Sequence, residues 1–395
     1  MIHRARGVIY RGMLRPQVLV LLFLAACGRV EPGPATPPVA PRTPAPPDPP
    51  AFVFQEDFRQ RRLAVDGPIR RGPYVQAVGT TQATICFETV EDCEGKLTCD
   101  GKTSTSARGQ RHEIALQGLK PGTRYSYTVQ PGAATASFKT SPDGDGDLFF
   151  IAWGDSRTYY ERLARVAELA AKDLPDFTVH SGDLVESGTV EEDWDRFFDA
   201  AKPLLRTGAL WPSIGNHEIG AKQYFDLFVL PTPESYYTFT AGPAQFFILD
   251  ANWTERKDPK QRAWFAEEIR KSKARFRFVV CHQPLVSCPD DDFIFDKESS
   301  MYALYGKQIE EGKVAAVFQG HNHNYQRAER KGVVYITTGG AGAPLYSVGD
   351  LTPETKFARE VHHYVRVRLT GRTMVIEAVD WNGQVIDKDE RTVGP

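Results

Sequence analysis

The spacing of apolar residues divides the chain into four stretches with different rhythms. Val18 to Ala26 is an unbroken apolar run, too short to span a bilayer. From Glu31 to Pro50 no apolar period survives and ten of the twenty residues are proline, which predicts an extended tether rather than a packed core. Between Pro68 and Thr140, Thr84 to Thr89 and Arg111 to Leu116 alternate polar with apolar residues, and Tyr125 to Val129 follows the turn signal Pro121, Gly122. Alternation sends every second side chain to one face, so these are predicted strands of a small all-β domain over 66–142. From 146 to 390, short apolar runs alternate with stretches of helical period. Leu148 to Trp153, Phe177 to Val179, Phe246 to Leu249, Phe276 to Val280, Val314 to Phe318, Val333 to Thr337 and Tyr364 to Leu369 read as strands. Tyr159 to Lys172, Glu191 to Leu205 and Gln261 to Lys273 read as amphipathic helices between them. That order predicts an α/β domain, layered αββα.

The predicted strands end in a recurring way. Gly154, Asp155; Gly182, Asp183; Gly215, Asn216, His217, Glu218; Cys281, His282; and Gly320, His321, Asn322, His323 all fall where apolar runs stop. Ligands of open sheets gather beyond the carboxyl ends of strands, so these side chains are expected to converge on one crevice. Two aspartates, an asparagine and three histidines are oxygen and nitrogen donors that suit zinc, manganese or iron and suit calcium alone poorly. Two divalent ions with Asp155, Asp183 and a bridging hydroxide leave roughly one net positive charge, which attracts a phosphate ester. Such a pair, about 3.5–4 Å apart, stabilises both the attacking and the leaving oxygen and acidifies bound water, so no covalent nucleophile is required.

Taken in this order, the set G-D-x, G-D, G-N-H-E, H and G-H-x-H resembles the calcineurin-like metallophosphoesterase superfamily. Gly320 to Arg327 with Tyr325, and the run Gly339, Gly340, Ala341, Gly342, are most similar to its purple acid phosphatase branch. Leu116 to Tyr127, then Phe138 and Thr140, resembles the fibronectin type III-like module that precedes the catalytic domain in that branch. The resemblance implies that Asp155, Asp183 and His323 hold a first metal. Asp183, Asn216, His282 and His321 would hold a second, with Asp183 bridging. His217 then faces the substrate as the catalytic residue, and Glu218 orients its loop.

Two positions depart from the pattern. Arg157 stands two residues after the first aspartate, where many superfamily members have histidine, and it is expected to bind phosphate as a fork of donors. Glu186 stands where purple acid phosphatases have their tyrosine, which predicts a colourless centre of two divalent iron, zinc or manganese ions and leaves open whether Glu186 is itself a ligand. The altered first site supports a second reading, a catalytically silent, metal-stabilised surface module used for adhesion or binding.

Among the other candidates, His180 reads as a packed core histidine, His362 and His363 as structural, and His112 as a surface residue. Tyr159, Tyr160, Trp253, Tyr325 and Tyr346 fall in loops or first turns near the motif ends, where aromatics either line a substrate or simply pack. Composition adds limits. With 395 residues, 41% hydrophobic and 25% charged, the chain has the make-up of an ordinary globular protein with room for two or three domains. Arg4, Arg6, Arg11 and Arg15 precede the run that closes in Leu24, Ala25, Ala26, Cys27, and that tetrad resembles the bacterial lipobox. The expectation is therefore a signal over 1–26, lipid attachment at Cys27 and a tether over 27–60. The protein would be extracytoplasmic and held to the cell envelope, with Gly28 favouring the outer membrane. Without those four arginines the net charge of −2 becomes −6, which argues against a nucleic-acid partner and leaves a small phosphate ester and the membrane. Five cysteines remain after Cys27; Cys93 with Cys99, and Cys281 with Cys288, are spaced to close small loops, and their pairing stays open.

Overall fold

A computed structural model describes residues 67–288 and 300–394. The predicted signal, Cys27 and the tether lie outside the described residues.

Five strands come first: β1 (Ile69–Gln76), β2 (Gln82–Cys99), β3 (Lys102–Gln117), β4 (Arg124–Gln130) and β5 (Ala134–Lys139). They form one antiparallel sheet ordered β1-β2-β4-β5, with β3 paired to β2. Two expectations are corrected here. Cys93 and Cys99 do not bracket a turn but lie on the single strand β2, roughly 20 Å apart along an extended chain, which is beyond disulfide reach. They and Cys86, Cys281 and Cys288 are free thiols. His112 is buried rather than at the surface, because it alternates in phase with Ile114 and so faces inward, stacked on Phe87 at 4.6 Å.

The remaining elements are β6 (Leu148–Trp153), α1 (Tyr160–Lys172), β7 (Phe177–His180), α2 (Glu191–Leu205), β8 (Ala209–Pro212), α3 (Lys222–Leu227), β9 (Tyr237–Ala241), β10 (Ala244–Ile248) and α4 (Pro259–Lys271). They continue with β11 (Phe276–Val280), α5 (Met301–Glu311), β12 (Ala316–Gln319), β13 (Tyr325–Arg330), β14 (Val333–Thr338), β15 (Thr355–Arg359), β16 (His363–Thr370), β17 (Thr373–Asp380) and β18 (Val385–Thr392). One sheet has the order β15-β13-β14-β12-β11-β10-β9 and the other β18-β17-β16-β6-β7-β8. In each, the central strands run parallel: β6, β7 and β8 in one, and β10, β11, β12 and β14 in the other.

The two-residue period of the strands builds the layers. Phe246, Phe278 and Phe318 turn one way from the seven-stranded sheet and meet Phe150 of β6, with ring centroids at 5.0, 5.3 and 5.7 Å. Their neighbours Phe247, Val279 and Val317 turn the other way and pack with Phe265 of α4 and Tyr305 and Ile309 of α5. Each fully buried side chain of this kind contributes about 1.5–3 kcal/mol. Local signals start the helices: the Asp258 carboxylate accepts from the Lys260 N–H at 2.8 Å with Pro259 at the first position, and Ser300 accepts from the Ala303 N–H at 3.2 Å. The first sheet is pinned to α2 by the buried Arg71 guanidinium, which pairs with Glu88 at 3.0 Å, Glu191 at 2.7 Å and Asp195 at 2.6 Å. The Tyr74 hydroxyl also donates to the Leu227 carbonyl at 2.7 Å.

Candidate metal centre

The parallel strands of both sheets release their chains at the same edge. Asp155 follows β6, Asp183 follows β7, Asn216 and His217 follow β8, His282 follows β11, and His321 and His323 follow β12. Asp155, Asp183 and His321 hold left-handed backbone conformations, with φ of 53, 55 and 68°. Non-glycine residues rarely sit there, and such strain persists where the surrounding structure enforces it. The glycines before the ligands have a steric reason: a Cβ on Gly320 would fall 2.5 Å from Asp155 Oδ2, and one on Gly215 would fall 2.1 Å from Asp183 Oδ1.

Two imidazoles and an amide oxygen form a triangle. His282 Nε2 lies 2.9 Å from Asn216 Oδ1, His321 Nδ1 lies 3.1 Å from the same oxygen, and the two nitrogens are 3.3 Å apart. Asp183 Oδ1 stands 3.3 Å from His282 Nε2. The His282 Nδ1–H donates to the Ser181 carbonyl at 2.9 Å, which leaves Nε2 as the ring's coordinating atom. In the metal-free site a proton on Nε2 is shared with these oxygens, and a divalent cation bound among the same atoms would replace it. Tetrahedral ligands at 2.0–2.1 Å from an ion stand about 3.3 Å apart, close to the 2.9 to 3.3 Å found here. The second half of the crevice therefore fits a divalent ion. In the first half His323 Nε2 lies 3.3 Å from Asp155 Oδ1, while its Nδ1–H donates to the Pro344 carbonyl at 2.7 Å. Asp155, Asp183 and His282 are all buried, and one donor atom from each lies within 4.8 Å of the others.

The field in the crevice is negative. Burial opposes charge on His282, but Asp183, hydrogen-bonded to it, and Asp155 outweigh burial and raise this imidazole to about 9. Burial likewise opposes ionisation of Asp183, yet His282 and His217 hold it well below the usual carboxylate range. His321 is lowered to about 4, chiefly by burial and then by His282.

Glu218 ties the loops together. Its Oε2 accepts from the backbone N–H groups of Asp183 at 3.0 Å and Gly215 at 2.9 Å, and its Oε1 accepts from Val185 at 3.2 Å. His217 stands at the mouth, with its Nδ1–H held by the Glu186 carbonyl at 2.5 Å and Nε2 lying 3.7 Å from Asp183 Oδ2. Arg157 is nearly buried, pairing with Glu186 at 3.1 Å and lying 3.5 Å from Asp183 Oδ2. The Nε that faces Asp183 makes no hydrogen bond. The Glu186 carboxylate is engaged by Arg157 and also by the Thr158 hydroxyl.

Three other histidines are held by other groups, although the buried Nε2 of His363 has no hydrogen-bond partner. His180 accepts from the Gly182 N–H at 3.1 Å and donates to Ser156 at 3.0 Å, and burial brings it down to about 3. His362 donates to the Gly340 carbonyl and accepts from Arg162, while His363 donates to Val361. Sequence reasoning missed Asp250 and Asn252, although they too follow an apolar run. The Asn252 amide reaches the Gly215 carbonyl at 3.3 Å and is held by Asp250 at 3.0 Å, and burial moves the Asp250 carboxyl up to about 7.

The fold and donor set together define a metal-binding domain of mixed α/β type. Residues 146–325 match the calcineurin-like phosphoesterase family. Purple acid phosphatase 21 of Arabidopsis thaliana is 26% identical over 260 residues, covering 59% of this chain and 59% of that protein. The phosphoenolpyruvate phosphatase of Allium cepa is 26% identical over 281 residues, covering 61% of this chain and 57% of that protein. The chain thus spans less than two thirds of the length of these curated relatives. The fold is similar to that of a purple acid phosphatase from yellow lupin (Lupinus luteus) seeds, with a TM-score of 0.70 and 16% identity over 82% of this chain and 74% of that one.

Proposed function

We propose that this protein hydrolyses phosphate esters at a dinuclear metal centre. The observation that carries this reading is the triangle of His282, Asn216 and His321 set against Asp183, with Asp155 beside Asp183 and His323 3.3 Å from Asp155. Asp155, Asp183 and His323 would hold one ion, and Asp183, Asn216, His282 and His321 the other. Ions held there supply Lewis acidity and an activated hydroxide to a phosphoryl group. The chain does the rest. Glu218 fixes the Asp183 and Gly215 loops in register through three backbone N–H groups. His217, held at Nδ1 by the Glu186 carbonyl, presents Nε2 to the crevice, where it passes a proton to the leaving oxygen. Arg157, whose Nε faces Asp183 Oδ2 at 3.5 Å without a hydrogen bond, is the guanidinium placed to meet a phosphoryl oxygen. The relatives named as phosphatases support the same reaction class.

The first sheet is read as the fibronectin type III-like module, spacing and bracing the catalytic domain through Arg71 and Tyr74. The lipobox-like tetrad ending in Cys27 supports lipid attachment to the bacterial envelope, with residues 27–60 as the tether.

The test is metal content per chain, together with hydrolysis of an aryl phosphate and of a bis-aryl phosphodiester. Two ions and turnover that falls by about 10²-fold or more in His217→Ala would support the hydrolase, and the better ester would set its class. The pairing of Arg157 with Glu186 and Asp183 favours the second reading, a silent metal-stabilised module. Bound metal without turnover of either ester under zinc, manganese or iron would select it.

A further inference from the structure

The second ion of the proposed centre draws its donors from both sheets. Asp183 and Asn216 follow β7 and β8 of the six-stranded sheet, whereas His282 and His321 follow β11 and β12 of the seven-stranded one. The spacing of these donors therefore depends on how the two sheets are joined at this edge. Two hydrogen bonds between the chain leaving β8 and the chain leaving β10 join them: the Ser213 hydroxyl donates to the Leu249 carbonyl at 2.9 Å, and the Asn252 amide donates to the Gly215 carbonyl at 3.3 Å. Asn252 is itself held, because its backbone N–H and its Nδ2 both donate to Asp250 Oδ1, at 3.1 and 3.0 Å. Asp250 is anchored on α4, where its N–H donates to Gln261 Oε1 at 2.8 Å and its carbonyl accepts from Gln261 Nε2 at 2.9 Å. All three side chains are buried. The Asn252 amide uses Nδ2 twice in this bridge while its buried Oδ1 has no hydrogen-bond partner, so the residue serves here as a pair of donors. A peptide unit is planar, so a Gly215 carbonyl held in this way also fixes the nitrogen and Cα of Asn216.

We propose that Asn252, backed by Asp250, is a positioning residue that sets the distance between the two donor halves of the second metal site. The inference rests on the metal-centre reading above and adds two residues from the end of β10, a strand that supplies none of the proposed ligands. Without the bridge, Asn216 Oδ1 is free to drift from His282 Nε2 and His321 Nδ1, which stand 2.9 and 3.1 Å away. The ion assigned to Asp155, Asp183 and His323 takes nothing from Asn216, so the loss falls on one ion of the two.

The experiment uses the full chain with zinc as the probe, added in calorimetry and removed by competitive chelation, alongside unfolding by denaturant without zinc. Asn252→Ala should weaken one zinc site about tenfold or more and leave the other within about twofold. Asp250→Asn keeps an acceptor oxygen and should hold zinc within about twofold of the wild type, whereas Asp250→Ala should reproduce the loss seen in Asn252→Ala. In an Asn216→Ala background, Asn252→Ala should add nothing, because the ligand it acts through is gone. A residue that only holds the fold would lower the unfolding midpoint without zinc and leave zinc affinity unchanged. That result would overturn the inference, as would a loss of equal size with and without Asn216. Asn252→Ser, whose hydroxyl stops one atom short of the amide nitrogen, gives the same reading where Asn252→Ala does not fold. One zinc instead of two, or zinc without turnover of either ester, sinks the dinuclear hydrolase. Asn252 is then still judged on whatever zinc Asn216→Ala weakens. Zinc binding indifferent to Asn216→Ala, or no zinc binding at all, sinks both.

Discussion

Two buried histidine clusters in this chain use the same residue type to opposite ends. At the strand ends, His282 and His323 each give one N–H to a backbone carbonyl and turn the other nitrogen toward a carboxylate or amide oxygen. In the first sheet, His112 accepts from Ser106 at 2.7 Å, and its Nε2 meets Thr89 at 3.2 Å, with the Cys93 thiol 3.9 Å away. Both ring nitrogens are therefore spent on neutral hydroxyls, and among the described residues no carboxylate is ion-paired with the ring. The difference shows what separates a site from a satisfied core residue: the donor that is left over and what it faces, more than burial or residue type. Changes in the crevice should move metal content and turnover, whereas changes around His112 should move stability alone.

The largest expected effect is at the shared carboxylate. Asp183→Asn should lower turnover by about 10³-fold or more and reduce bound metal below two ions per chain. Two retained ions with turnover near wild type would erase the distinction between the clusters. A smaller effect sharpens it within the crevice itself. His282→Ala leaves Asp183, Asn216 and His321 for its ion, whereas His323→Ala leaves only Asp155 and Asp183, with Arg157 already 3.5 Å from Asp183. Both should weaken metal retention by at least about tenfold, and His323→Ala should empty its half first. Competitive chelation followed by metal analysis ranks the two, and the reverse order would mean that Glu186 leaves Arg157 to become a ligand.

Glu218 touches no proposed ion, yet it holds the loops that carry two ligands. In Glu218→Gln an amide NH2 replaces one of the oxygens that accept from Asp183, Gly215 and Val185, so at least one buried N–H loses its partner. The expected cost is about 1–3 kcal/mol in unfolding by denaturant, with a secondary loss of turnover. Stability equal to wild type would show that the loops are held by the ligands alone.

Much of this arrangement was legible in the sequence because it rests on short-range periodicity. The runs Leu148 to Trp153 and Phe276 to Val280 and the helix Glu191 to Leu205 coincide with the observed elements. All seven proposed site residues between Asp155 and His323 that lie at strand ends, namely Asp155, Asp183, Asn216, His217, His282, His321 and His323, are gathered at one edge. What stayed hidden is long-range or needs the phase of a strand. Arg157 and Glu186 are 29 positions apart, and nothing local announces their pairing. Tyr346 is one aromatic among several until its ring is found on His323. The residues of Arg111 to Leu116 alternate, yet the phase that puts His112 beside Ile114 on the inner face was not applied to the histidine. Cys93 and Cys99 bracket a polar segment that reads as a turn in isolation; pairing with β3 keeps that segment extended.

The smallest effect tests the other side of the comparison. Burial lowers the His112 imidazole below its ordinary 6.5, so folding favours its neutral form. Below about pH 6.5 the unfolded chain binds the additional proton, and the stability this residue contributes, fully present above that pH, is lost as pH falls toward the lowered folded value. His112→Gln removes the titration and keeps a polar side chain. The variant should lose some stability at every pH, but its melting temperature should fall less between pH 7.5 and 5.5 than that of the wild type, by about 1–2 °C. Metal content and the pH profile of turnover should stay as in the wild type. Parallel slopes for the two proteins would mean that the Ser106 and Thr89 hydroxyls accommodate a charged ring, and a shifted turnover profile would mean that the first sheet reaches the crevice after all.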